Sequence, residues 1–169
     1  MTKLRSVFPS LPSGHTIFCD DIREEIGGKV TLVGVYALYM YLAEIPCVIP
    51  KICLSIEYRE EIFNADPILF KVIFEEIDDS VKIAPEAPRK KMGSENVLVE
   101  MPMQIPPDAV RPKPKDFMMR QSRLNLHISP FAIQSRGLLK VRAYRRDEEI
   151  RLGALIVDRA PQQEAETEI

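Results

Sequence analysis

Polar and apolar positions alternate along much of this chain. The clearest stretch is residues 51–63, where Ile52, Leu54, Ile56, Tyr58 and Ile62 share one parity and Lys51, Cys53, Ser55, Glu57, Arg59 and Glu61 share the other. A period of two marks a strand with one face buried. Its polar face predicts an antiparallel sheet with one side in water, because strands of parallel sheets are usually covered on both sides. Residues 15–25 and 30–42 flank the pair Gly27-Gly28, which tolerates the positive φ of a tight hairpin turn, so a strand is expected on each side. The competing reading is a short helix over residues 20–26, with Asp20 as its cap, but seven residues make a marginal helix.

Further strands follow at regular spacing. Residues 64–67 read as a turn before a β-branched and aromatic run at 68–77. Residues 85–91 read as a loop, and Val97, Val99, Met101, Met103 and Ile105 then alternate with Leu98, Glu100, Pro102 and Gln104. Pro102 places this strand at an edge, since proline donates nothing to a ladder. The stiff segment Pro106 to Pro114 reads as a connection that crosses between sheets or covers an edge. Leu124, Leu126 and Ile128 alternate with polar residues, and runs at 138–144 and 150–157 flank a charged turn, a second hairpin. Seven or eight short strands without a sustained helical period predict an all-β antiparallel β-sandwich of the immunoglobulin-like or C2-like kind. A closed β-barrel is the alternative.

The chain has 169 residues, which suits one domain. Its expected limits are 15–159, after a flexible lead-in at 1–14 and before a disordered acidic tail at 160–169. Three cysteines, Cys19, Cys47 and Cys53, are odd in number and lack CxxC spacing. They speak against a disulfide framework or zinc knuckle and for a reducing, cytoplasmic setting. The most membrane-like stretch, residues 30–50, is interrupted by Glu44 and Pro46, which leaves 13 uncharged residues from 30 to 42 where a spanning helix needs about 20, so no membrane association is expected. Charge is uneven: residues 1–80 carry 7 basic and 13 acidic side chains, whereas residues 89–146 carry 13 basic and 4 acidic. Folding either cancels this asymmetry or leaves a field that attracts an anionic partner.

Phe18-Cys19-Asp20-Asp21-Ile22-Arg23-Glu24-Glu25, Gly28-Lys29, Leu32-Val33-Gly34-Val35-Tyr36 and the stretch from Pro46 to Pro50-Lys51 resemble the opening of an uncharacterised family of small bacterial and phage proteins. That family is a domain of unknown function, and the stretch from Pro130 to Val157 resembles its usual ending. The resemblance implies a compact β-rich cytoplasmic protein and carries no activity, cofactor or catalytic residue onto any position. The basic loop Arg89 to Lys91 and the proline-rich segment at 106–114 fall outside the family pattern.

Candidate chemistry is sparse. His15 and His127 are the only histidines, and neither adjoins a nucleophile or zinc motif. No catalytic, metal or cofactor residue is assigned. Asp20, Asp21 and Glu24 form the densest acidic group and define one alternative, a metal-assisted hydrolase. Cys53 lies on the polar parity of its strand, which predicts a surface thiol, whereas Cys19 and Cys47 read as packing residues. Lys140, Arg142 and Tyr144 share one strand face and Arg123, Asn125 and His127 another. If those strands are neighbours, Arg123, Lys140, Arg142 and the adjacent Arg145 make a face for nucleic acid or another anion. Tyr36, Tyr39 and Tyr41 lie in a run that is apolar on both parities, which predicts a strand covered twice, by a loop and the opposite sheet or by a partner. The leading expectation is a non-enzymatic protein that acts through a protein partner or as a homodimer.

Overall fold

The computed structural model describes residues 11–61, 66–77, 95–104 and 119–161. The expectations for residues 1–10, 62–65, 78–94, 105–118 and 162–169, including the basic loop, the proline-rich crossing segment and the acidic tail, lie outside the described residues. The chain forms β1 (Ser13–Glu25), β2 (Lys29–Tyr36), β3 (Tyr39–Leu42), β4 (Cys47–Ile49), β5 (Ile52–Glu61) and β6 (Ile68–Glu76), then β7 (Glu95–Met103), β8 (Met119–Ile128), β9 (Phe131–Ile133), β10 (Gly137–Arg145) and β11 (Glu148–Arg159). This is an all-β chain, and among the described residues no helix is long and apolar enough to cross a membrane.

The strands form three sheets: a four-stranded sheet in the order β2-β1-β5-β8, a five-stranded sheet in the order β3-β11-β10-β6-β7, and the small pair β4-β9. Neither large sheet closes on itself, so the barrel alternative does not hold. All neighbours are antiparallel except β3, which lies parallel to β11. The expected hairpin turns occur where the sequence placed them. Gly27 and Gly28 adopt φ of 85° and 73°, and Arg146 at 50° makes the short turn between β10 and β11. The alternative helix at 20–26 is absent, because those residues are held in the β1–β2 ladder. Pro102 sits on β7, an edge strand of the described sheet, where its missing N–H leaves no ladder bond unmade.

Side chains from all three sheets meet in one core. Tyr58 of β5 meets Phe70 of β6 edge-on at 5.6 Å, and Phe74 of β6 meets Phe131 of β9 at 6.1 Å. These contacts join the four-stranded sheet to the five-stranded one and the five-stranded one to the small pair. Close approach of β1 to β11 depends on small residues. A Cβ on Gly14 would press on Leu152 and on the Glu57 carbonyl, and one on Gly153 would lie 3.3 Å from Thr16.

Three sequence expectations are corrected. Eleven strands are present among the described residues, more than the seven or eight expected, because β3, β4 and β9 are only three or four residues long and too short to show a period. Residues 30–42 are not one strand: β2 belongs to one large sheet and β3 to the other, with the crossing at residues 37–38. Finally, β5 is buried on both parities along its first half, Cys53 and Ser55 included. It is an inner strand flanked by β1 and β8, so neighbouring side chains cover its small outward residues.

Candidate functional site

The crossing between sheets builds a concave feature of the surface. In the β1–β2 ladder Cys19 pairs with Val35 and Asp21 with Val33, which sets Asp20 opposite Gly34. Gly34 has φ of 64°, and a Cβ there would overlap the Asp20 carboxyl. Only glycine allows the carboxyl to lie across this position. Asp20 Oδ1 then accepts a 2.5 Å hydrogen bond from the Tyr36 hydroxyl at the end of β2. Burial, followed by the Asp20 hydrogen bond and charge, pushes the Tyr36 phenol far above its ordinary value, so Tyr36 is a donor at any ordinary pH.

After residues 37–38 the chain is caught by β11. Ile156 N–H donates to the Leu38 carbonyl at 2.9 Å and Ala160 N–H to the Leu42 carbonyl at 2.8 Å. Met40 turns into the core, while Tyr39 and Tyr41, two residues apart on β3, stack at 5.2 Å with their planes 3° apart. The chain returns through β4, and the Ser129 hydroxyl donates to the Pro50 carbonyl at 2.8 Å.

Asp20, Tyr36, Met40, Tyr41, Leu42, Ile49, Pro50 and Lys51 thereby line an open cleft of about 380 Å³. At its rim Lys51 Nζ lies 2.5 Å from Asp21 Oδ1, and Arg23 Nε lies 3.4 Å from Asp21 Oδ2. The Lys51 hydrogen bond holds the Asp21 carboxyl below its ordinary value, and Asp21 in turn raises Lys51. The polar groups are thus engaged with one another, and what faces outward is largely apolar and aromatic. Asp20, Tyr36, Pro50 and Lys51 all come from the opening motif.

Tyr36 and Tyr41, expected from the sequence as interface candidates, come together at this cleft from different sheets, and Tyr39 stacks on Tyr41. Among the described residues, five of the eight large exposed hydrophobic side chains, Val33, Val35, Leu38, Tyr41 and Val48, fall within residues 33–48. Among the described residues β2, which carries the two valines, is an edge strand.

The basic residues are not brought together. Arg123 is on β8 and Lys140, Arg142 and Arg145 are on β10, in different sheets, so the condition for one basic face fails. Each also has acidic company. Arg123 pairs with Glu57, Lys140 with Glu75 and, at 3.6 Å, with Glu95. Arg142 lies 3.3 Å from Glu149 and donates to the carbonyls of Val141 and Gly153 at 2.9 and 3.1 Å, and Arg145 is buried against Glu60. The acidic group is divided as well. Asp20 is held by Tyr36 and Asp21 by Lys51, while Glu24 pairs with Val30 in the ladder and is exposed. Among the described residues no three His, Cys, Asp or Glu side chains converge as a metal site. His15 lies opposite Glu57 and His127 opposite Cys53, both exposed. The expected surface thiol of Cys53 is instead fully buried.

Sequence reasoning missed the buried cluster of Glu60, Arg120 and Arg145. Glu60 accepts from Arg120 Nε at 3.0 Å and also from Arg145 Nη2. Its signal was present: Glu60 continues the apolar parity of Leu54, Ile56 and Tyr58, where a carboxylate needs a buried partner. No family model matches this chain, and no curated protein or solved structure matches it.

Proposed function

We propose that this protein is a non-enzymatic β-sandwich, of the immunoglobulin-like or C2-like kind, that works by contact with another protein through the surface of residues 33–48. The observation that carries the reading is that Val33, Val35, Leu38, Tyr41 and Val48, all exposed, fall within the one stretch of chain that also supplies Tyr36, Met40, Tyr41 and Leu42 to the cleft. Exposed apolar groups gathered in this way mark contact surfaces. An edge strand such as β2 also offers backbone groups to a partner strand. Convergence of motif residues on the cleft supports placing the chain with the uncharacterised bacterial and phage family it resembles, and three free thiols support a reducing cytoplasmic setting.

A second copy is the partner that experiment supplies directly. Light scattering on the purified full chain across concentration, at low and high salt, with and without a mixed oligonucleotide pool, tests the proposal. The expected result is a salt-indifferent dimer that Tyr41→Glu and Val35→Glu each dissociate. Oligonucleotide capture that falls steeply with salt would replace this reading with a nucleic-acid one. A monomer at every concentration would overturn self-association as the contact.

A further inference from the structure

Cys19 on β1 and Cys53 on β5 are direct partners in the antiparallel register. Neither has exposed surface, and both thiols are free. They share a small cluster with Ile22, Val30 and Leu32, separate from the main core. The Cys53 thiol donates to the carbonyl of Asp20, the residue after Cys19, at 3.4 Å. Directly opposed residues on antiparallel strands hold their Cα atoms about 4.5–5.5 Å apart, within the window of about 4.4–6.8 Å that a disulfide accepts. Their Cβ atoms lie about 4.5–5.5 Å apart, where a disulfide prefers about 3.5–4.5 Å. The bond therefore closes with a small inward tilt, and the strain that remains makes it easier to reduce.

We propose that Cys19 and Cys53 form a reversible cross-strand disulfide, made by exchange with a small disulfide such as oxidised glutathione. In the first step one protein thiolate attacks a glutathione sulfur, forms a mixed disulfide and releases one glutathione thiolate. In the second the other cysteine, having lost its proton to water, attacks the protein sulfur of the mixed disulfide and releases a second glutathione. Two protein thiols are oxidised and one glutathione disulfide is reduced to two thiols, so electrons balance, and reduced glutathione reverses both steps.

The chemistry is gated by burial. Burial pushes the Cys19 thiol up to about 11, and Cys53 is also raised by burial, with the Lys51 ammonium opposing the rise. Thiolate is therefore scarce at neutral pH. Reagent reaches the pair when the β1–β2 hairpin opens, and an edge element opens locally at lower cost than the whole fold. The ring closed by the bond runs from residue 19 to residue 53, so it encloses β2, β3, β4 and every residue named in the cleft lining. Oxidation would thus fasten the segment that carries the contact surface. The inference does not depend on the contact reading, and its test does not involve a partner.

The test incubates the full chain in a series of oxidised-to-reduced glutathione ratios, quenches with acid, alkylates under denaturing conditions and maps peptides by mass. Free thiols are expected to fall from three to one, with Cys47 alone alkylated and the Cys19 and Cys53 peptides linked. The rate should rise about tenfold per pH unit below about pH 8. Cys47→Ser, which leaves the pair untouched, should form the same link. Three alkylated cysteines at every ratio, or oxidation confined to a mixed disulfide on Cys47, would overturn the proposal.

Discussion

Replacing Glu60 by glutamine tests whether the buried charge cluster holds the two large sheets together. Glu60 is on β5 of one sheet and Arg145 on β10 of the other, and their side chains are 2% and 5% exposed. Among the described residues Arg145 Nε and Nη1 find no partner, and Arg120 is 16% exposed. Glutamine keeps the shape but removes the negative charge that both guanidinium groups meet. Neutralising one partner of a buried pair costs about 3–5 kcal/mol, and because Arg120 retains some contact with water the lower end applies, about 3 kcal/mol. At a urea dependence of about 2 kcal/mol per molar, the unfolding midpoint should fall by roughly 1.5 M. Circular dichroism in a urea series reads this directly. The double replacement Glu60→Leu with Arg145→Met removes the cross-sheet charges together and should recover much of the loss. A midpoint shift for Glu60→Gln under about 0.25 M, the size expected of a surface pair, would refute the reasoning.

Two further outcomes follow from the geometry. Gly34→Ala places a Cβ into the Asp20 carboxyl at a φ of 64°, so it should cost at least about 1 kcal/mol and free the Tyr36 hydroxyl. Thermal unfolding together with ultraviolet titration of the tyrosines checks both effects, and a phenol titration identical to that of the parent protein would count against the Asp20–Tyr36 link. Acid should weaken the fold through Asp158 and Glu57, held below their ordinary values of 3.8 and 4.5 chiefly by hydrogen bonds from Arg136 and Arg123. Their folded values are depressed, so their stabilisation is complete above about pH 5 and is lost as pH falls through the folded values. Melting temperatures measured from about pH 6 to pH 3 should show a flatter acid limb in Asp158→Asn, and an unchanged limb would remove Asp158 from the account.

What was legible in the sequence was local. Gly27-Gly28 and the position of Pro102 each report a constraint on a few neighbouring residues, and each is met in the fold, whereas the alternation of residues 52–58 marked a strand but not the cover on its second face. Pairings across long separations left no such mark. Nothing around Ala37 and Leu38 resembles a turn signal, since the crossing is fixed by carbonyls caught on β11 more than a hundred residues later. The basic residues looked like a face because parity was read within each strand, whereas their sheet membership and acidic partners depend on topology. Tyr36 and Tyr41 approach one cleft only because the strand expected to contain both is divided.

The parallel placement of β3 on β11 also imposes an order of events on a chain that emerges from its N-terminus. Strands β1, β2 and β5 can pair once residue 61 has appeared, because their ladder uses only residues already made. Strand β3 has to wait for Ile156 to Arg159. Throughout that interval Tyr39 and Tyr41 are translated but undocked, and the wall of the cleft is finished only after residues 156–159 have been made, more than a hundred residues behind the tyrosines they hold.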